Sequence, residues 1–175
     1  EWLAITDHSP RLTVANGLSV ARLRAQLDEI DAYNDQSDSE LRLLAGIEVD
    51  ILDDGTLDQT TEMLDRLDIV TASVHSKLRM DAAPMTRRLV TAVSDPRCNV
   101  LGHCTGRRVG TGRGARPPST FDAREVFGAV IDSGDKAKTE LVRMVAREVR
   151  TYLEALELHK DAMHLLTNYS LDVNA

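Results

Sequence analysis

The chain has 175 residues, a formal net charge of −7 and only 3% aromatic residues. Because it carries no overall positive charge, it has no long-range attraction for nucleic acid or anionic membranes, and any phosphate must be bound locally. The few aromatic side chains argue against a protein that stacks single-stranded bases on aromatic rings. No apolar run approaches the ~20 residues of a membrane span, and no signal peptide is visible, so we expect a cytoplasmic protein without membrane contact.

Four short apolar runs each end at a residue type that binds metal ions. The runs and their final residues are 3–8 (His8), 45–48 (Glu48), 69–75 (His75) and 100–103 (His103). Each run has the composition of a buried parallel strand, because it is apolar, contains β-branched residues and is bounded by turn residues.

Segments with helical periodicity lie between and after these runs. The pattern predicts helices at about 19–33, 58–67, 84–93 and 122–131. Alternating strands and helices are typical of a βα barrel or a doubly wound sheet. In both architectures the carboxyl ends of the strands meet on one face. We therefore expect the three histidines and the glutamate to converge on a site that suits zinc, manganese or iron.

The pattern changes after residue 134. No glycine or proline occurs from Asp135 to the last residue. Apolar residues recur there at steps of three and four: Val142, Val145, Val149, Tyr152 and Leu156. This spacing predicts one long amphipathic helix. We expect one domain at 1–134, a helical extension at 135–175, and formation of a homo-oligomer through the helix at 135–166.

The strand ends carry a resemblance to a known family. The motifs are Ile-Thr-Asp-His-Ser (5–9), Gly-Ile-Glu-Val-Asp-Ile (46–51), Ser-Val-His-Ser (73–76) and Gly-His-Cys-Thr-Gly-Arg (102–107). In this order and at similar spacing, they resemble the metal-binding motifs of the PHP (polymerase and histidinol phosphatase) family. The resemblance is to the PHP domain of bacterial family-X DNA polymerases and their stand-alone actinobacterial relatives in particular, and it covers residues 1–134.

This resemblance implies a distorted, TIM-like βα barrel with a multinuclear metal site. It implies hydrolysis of phosphoesters, either as a phosphatase or as a 3′-5′ exonuclease linked to DNA repair synthesis. The partner would be a phosphorylated small molecule or a DNA 3′ end. Carried over by position, the metal ligands and catalytic residues would be His8, Glu48, His75 and His103, with divalent manganese, zinc or iron as the cofactor.

Three basic residues near the third and fourth motifs are candidates for binding the phosphate group. Arg107 is the last residue of the fourth motif, and its planar guanidinium suits two phosphate oxygens. Lys77 and Arg79 follow the third motif. They belong to the same prediction.

Two motifs of the family do not occur in their expected places: a His-x-His before the first strand and an Asp-x-His near the end of the barrel. We therefore expect an incomplete α/β barrel with a C-terminal helix, truncated at both ends, and inefficient turnover. Two alternatives follow. The chain would be a non-catalytic scaffold that interacts through its tail helix, or an amidohydrolase-like metal hydrolase that acts on carbon–nitrogen bonds.

Overall fold

The computed structural model describes residues 1–36, 38–109 and 115–133. Strands and helices alternate in the order β1 (Trp2–His8), α1 (Val20–Gln36), β2 (Arg42–Asp50), α2 (Thr61–Leu64), β3 (Ile69–Ser73), α3 (Ala82–Ser94), β4 (Val100–Leu101) and α4 (Ala123–Asp132). A single 3-10 turn, Thr13–Ala15, lies in the loop between β1 and α1. The predicted α/β class is confirmed. The predicted helix at 135–175 and the domain boundary at 134 lie outside the described residues.

The four strands form one parallel sheet in chain order, β1-β2-β3-β4. The register pairs His8 with Glu48 across β1 and β2, and Asp50 with Ser73 across β2 and β3. Because all strands run the same way, their carboxyl ends lie along one edge of the sheet. Within the described residues, β1 and β4 each pair with one neighbour only. A closed barrel therefore stays a prediction.

An aliphatic core lies around β2, as the low aromatic content predicts. Ile47 and Val49 are fully buried on this strand. Helix α1 buries Leu23, Leu27 and Ile30, whose spacing places them on one face of the helix. On the described part of the chain no helix is long and apolar enough to cross a membrane.

The prediction that every strand is buried is wrong for β1. Trp2 is 68% exposed and Leu3 is 53% exposed. Strand β1 pairs only with β2 within the described sheet, so one side of it lacks a neighbouring strand. An apolar run reveals strand propensity, but it does not reveal whether the strand lies at an edge.

The second helix is much shorter than the predicted 58–67. Helix α2 has only four residues, and Thr60 caps its amino end by accepting a hydrogen bond from the N–H of Met63 (3.4 Å). The preceding residues are held elsewhere, since the N–H of Asp58 donates to the carbonyl of Asp50 (3.0 Å). Strand β4 is also shorter than predicted, at two residues. The helices α1, α3 and α4 agree with the prediction to within one turn.

Candidate metal centre

The four residues at the strand ends lie together at the carboxyl edge of the sheet. His8 is the last residue of β1, and Glu48 lies two residues before the end of β2. His75 follows the end of β3 by two residues, and His103 follows the end of β4 by two residues. Residues far apart in sequence therefore meet because the parallel strands end at the same level.

Glu48 is at the centre of this group. Its Oε1 lies 2.9 Å from Nε2 of His103 and 3.2 Å from Nε2 of His75. Its Oε2 lies 3.4 Å from Nε2 of His8. The imidazole of His75 lies between the other two, with ring centroids 5.3 Å from His8 and 5.0 Å from His103. Each imidazole thus directs Nε2 towards the same carboxylate.

Burial decreases from one side of the site to the other. The side chains of His75 and Glu48 are 14% and 19% exposed, whereas that of His103 is 55% exposed. The site is therefore half-buried at the sheet edge, and His103 is the most exposed of its four side chains.

The charges of the site influence one another. Burial alone would raise the pKa of Glu48, but the Ser73 hydroxyl and the three imidazoles outweigh burial and lower the pKa. The neighbouring Asp50 carboxylate, more than any other group, raises the pKa of His75. A carboxylate that stays ionised among imidazoles is suited to a cation.

The donor set fits a divalent metal ion. His8, Glu48 and His75 offer one ligand atom each within 4.8 Å of one another. Oε1 of Glu48 and Nδ1 of His75 are buried, and neither makes a hydrogen bond with the described residues. Oε1 thus faces two imidazole nitrogens at 2.9 and 3.2 Å without forming a hydrogen bond, an arrangement that suits a cation bound between them. Imidazole nitrogens with one carboxylate suit zinc, manganese or iron.

A second layer of residues holds the ligands in place. The N–H of Ser9 donates to the carbonyl of Glu48 (3.0 Å), and Oγ of Ser9 accepts a hydrogen bond from the N–H of Asp50 (2.9 Å). Oδ1 of Asp50 accepts one from the N–H of His75 (3.1 Å). The sequence analysis did not predict the role of Ser9.

Sequence reasoning also missed Arg88, which is 1% exposed on α3. Its signal was present in the sequence. The arginine lies between Met85 and Leu89 on the apolar face of the helix, where a charged residue requires a reason.

Gly102 allows the end of β4 to approach the site closely. A Cβ atom at this position would lie 2.1 Å from Oγ of Ser73 and 3.1 Å from Cγ2 of Thr71. Ser73 is fully buried, and its hydroxyl is one of the groups that lower the pKa of Glu48. The absence of a side chain at 102 therefore lets His103 follow directly after a tight contact between β3 and β4.

The structure does not test the roles predicted for the three basic residues. Arg79 and Arg107 are exposed. Lys77 has a left-handed backbone (φ 50°), and its Nζ lies 2.5 Å from Oδ2 of Asp53. In this structure Lys77 thus contacts a carboxylate, and its role in binding phosphate stays a prediction.

Cys104, the residue after His103, is a poor candidate for a ligand. Burial raises the pKa of its thiol to about 11. It therefore stays protonated near neutral pH in the metal-free protein, and a metal ion would have to displace this proton before it could bind the sulfur.

Comparisons with known proteins agree with a phosphoesterase-like site. The chain is 44% identical over 110 residues to the DNA polymerase/3'-5' exonuclease PolX of Bacillus subtilis (strain 168), a match that covers 63% of this chain and 19% of that protein. It is 29% identical over 108 residues to a probable phosphatase of Thermoanaerobacter sp. (strain X514), which covers 59% of this chain and 41% of that protein. A probable phosphatase of Caldanaerobacter subterraneus subsp. tengcongensis is 27% identical over 108 residues.

The chain spans only 19% of the length of PolX and 41% of the first phosphatase. No family model matches the chain. One of these relatives is named as a DNA polymerase/3'-5' exonuclease and the others as probable phosphatases, and membership of the PHP family stays a prediction.

Proposed function

We propose that this chain is a metal-dependent phosphoester hydrolase with a centre formed by His8, Glu48, His75 and His103. One observation carries the proposal. The ionised, half-buried carboxylate of Glu48 has three imidazole Nε2 atoms within 3.4 Å, and its Oε1 accepts no hydrogen bond from the described residues. The similarity to PolX and to probable phosphatases supports phosphoester bonds over the carbon–nitrogen bonds of an amidohydrolase.

The proposed cofactor is divalent manganese, zinc or iron. Such an ion would activate a water molecule and neutralise charge on the phosphoryl oxygens. The two oxygens of Glu48 face different imidazoles, Oε1 towards His75 and His103 and Oε2 towards His8. In this proposal Glu48 would supply one oxygen on the side of His8 and the other on the side of His75 and His103.

Binding of the phosphate group is assigned to Arg107, Lys77 and Arg79. Arg107 and Arg79 are exposed. Lys77 has to exchange Asp53 for a phosphate oxygen, and this exchange costs little because ion pairs between exposed side chains are weak. Positive side chains near the metal centre would attract an anionic substrate even though the whole chain is acidic.

The more specific form of the proposal is a 3′-5′ exonuclease linked to DNA repair synthesis, with a DNA 3′ end as substrate. The higher identity to PolX than to the phosphatases supports it. A phosphorylated small molecule is the other substrate of the same chemistry.

The decisive experiment is elemental mass spectrometry on protein purified without chelator. We expect near-stoichiometric manganese, zinc or iron in the wild type and its loss in the Glu48→Gln and His75→Ala variants. Glu62→Gln is the matched control, because Glu62 is an exposed carboxylate on α2 that pairs with Arg24 instead of a histidine.

Activity is measured next, with p-nitrophenyl phosphate and with 3′-labelled DNA. Cleavage of labelled DNA that requires Glu48 supports the exonuclease, and cleavage of the small ester alone supports the phosphatase. Metal content equal in the wild type and Glu48→Gln would refute the proposed centre.

A further inference from the structure

Arg88 is a buried arginine with an unusual set of contacts. Its side chain lies on the inner face of α3 and is 1% exposed. A buried guanidinium is costly unless its donors are satisfied. Within the described residues, all hydrogen bonds of its side chain are to two loops that lie outside α3.

The guanidinium joins the loop after β2 to the loop after β3. Nε donates to the carbonyls of Ile51 (3.1 Å) and Leu52 (2.8 Å), which follow β2 directly. Nη2 also donates to the carbonyl of Ile51. Nη1 donates to the carbonyl of Ser76 (3.0 Å), and Nη2 lies 3.3 Å from the Ser76 hydroxyl.

One of these loops carries the candidate ligand His75, and the other follows the strand that carries Glu48. Ser76 is the residue after His75, and Ile51 lies three residues after Glu48. The N–H of Ile51 also donates to the carbonyl of Ser73, the last residue of β3 (2.8 Å). Arg88 therefore joins, from the helix side, the segment that follows Glu48 to the segment that contains His75, and these two side chains lie 3.2 Å apart.

We propose that Arg88 is a positioning residue of the metal centre, which holds the loops after β2 and β3 at the spacing that Glu48 and His75 need to share an ion. This inference rests on the proposed function. The inference extends the proposed function to a residue that is not itself a ligand. Within the described residues Arg88 forms no hydrogen bond with either ligand side chain, and it acts through the backbone.

Lysine cannot replace arginine in this arrangement. The guanidinium is a rigid plane whose donors point in several directions, so it reaches both loops at once. A lysine ammonium is a single point at the end of a flexible stem. Arg88→Lys keeps the charge and the apolar stem but loses the bridge, and it therefore separates positioning from charge.

The chain offers a control at the opposite end of β2. Asn34 on α1 donates through Nδ2 to the carbonyl of Leu43 (2.8 Å), and its Oδ1 accepts from the N–H of Leu43 (2.9 Å). Like the Arg88 variants, Asn34→Ala thus removes hydrogen bonds from a side chain to the backbone. It does so at the start of the strand, away from the metal ligands.

The test uses cobalt(II) with the full chain, because its absorption spectrum reports the ligand geometry. Affinity and spectrum are measured by titration for the wild type, Arg88→Lys, Arg88→Met and Asn34→Ala, together with thermal unfolding of each metal-free protein. We expect both Arg88 variants to bind cobalt at least roughly tenfold more weakly, as is typical of residues that orient ligands, and to change its spectrum. We expect Asn34→Ala to keep the wild-type affinity and spectrum, even if its unfolding temperature falls as far as those of the Arg88 variants.

Two results would overturn the inference. One is a folded Arg88→Lys or Arg88→Met protein with wild-type affinity and spectrum. The other is a loss of affinity in Asn34→Ala equal to that of the Arg88 variants at equal loss of stability. In both cases the wild type still binds cobalt and the proposed function stands. A wild type that binds no cobalt refutes the proposed function itself, and this inference with it.

Discussion

Glu48 and His75 lie on neighbouring segments of the sheet edge, and Oε1 of the carboxylate is 3.2 Å from Nε2 of the imidazole. On its other side, Nδ1 of His75 is 3.6 Å from Oδ1 of Asp50. His75 therefore lies between two carboxylates. This arrangement determines how the site responds to protons and to metal ions.

The metal-free protein should lose stability when the pH rises above neutral. Asp50, followed by Glu48, raises the pKa of His75 above its usual 6.5. A raised pKa contributes stability that is complete below about pH 6.5 and disappears as the pH rises through the folded value. Urea unfolding with a chelator present, between pH 6 and 9, measures this. In Asp50→Asn the free energy of unfolding should decline less over this pH range. A decline equal to that of the wild type would contradict the prediction.

The same protein should also lose stability in acid. The pKa values of Glu48 and Asp50 are both lowered in the folded state despite their burial. A lowered pKa contributes stability that is present above the usual values of 4.5 and 3.8 and disappears as the pH falls through the folded values. Unfolding curves of the chelated wild type from pH 6 to 2 check this, with Glu62→Gln as a control that should follow the wild type.

A bound metal ion should counteract the loss of stability that the metal-free protein shows above neutral pH. Imidazole binds a metal ion only when it is neutral, so affinity rises as His75 loses its proton. We expect the gain in unfolding temperature with manganese or zinc to increase from pH 6 to 8. A gain that is constant over this range would argue against histidine ligands.

Gly102→Ala should destabilise the protein by about 1–3 kcal/mol, the usual cost of overpacking. The added Cβ would meet Oγ of Ser73 at 2.1 Å. Removal of that hydroxyl in Ser73→Ala leaves the Ser73 Cβ at 3.4 Å, an ordinary contact, although Cγ2 of Thr71 at 3.1 Å stays close. The double variant should recover part of the loss. Additive effects of the two substitutions, measured by urea unfolding, would show that the two residues do not clash.

Asp53→Asn should free Lys77 for substrate. Both side chains are largely exposed, so loss of the ion pair should leave the unfolding temperature unchanged. The KM for a phosphoester should fall, while Lys77→Ala should raise it with little change in kcat. Equal KM values in the wild type and Lys77→Ala would remove Lys77 from the substrate site.

Cys104 should react slowly with iodoacetamide in the folded protein. Its pKa rises from the usual 9.0 to about 11, so near neutral pH the thiolate fraction falls about a hundredfold. Mass spectrometry after a timed reaction, with and without urea, compares the folded and unfolded states. Rapid labelling of Cys104 in the folded protein would contradict its burial.

The sequence pattern predicted the order of the strands and helices, the aliphatic core and the strand ends that carry the metal-type ligands. It succeeded because parallel strands have a simple composition and all end at one edge of the sheet. It did not predict that β1 is exposed, that α2 has four residues, or that Lys77 contacts Asp53. These features depend on which segments become neighbours, and hydrophobic periodicity carries no information about that.

By itself, the sequence determined the class of the fold and the chemical types present at the site, three imidazoles and a carboxylate. Only the tertiary structure decided that Glu48 lies at the centre of the group, that Gly102 leaves room for Ser73, and that Arg88 joins the loops beneath. The physical reason is distance. A strand end places a ligand at the correct edge, but the last few ångströms depend on register, loop hydrogen bonds and packing of the helix behind the sheet.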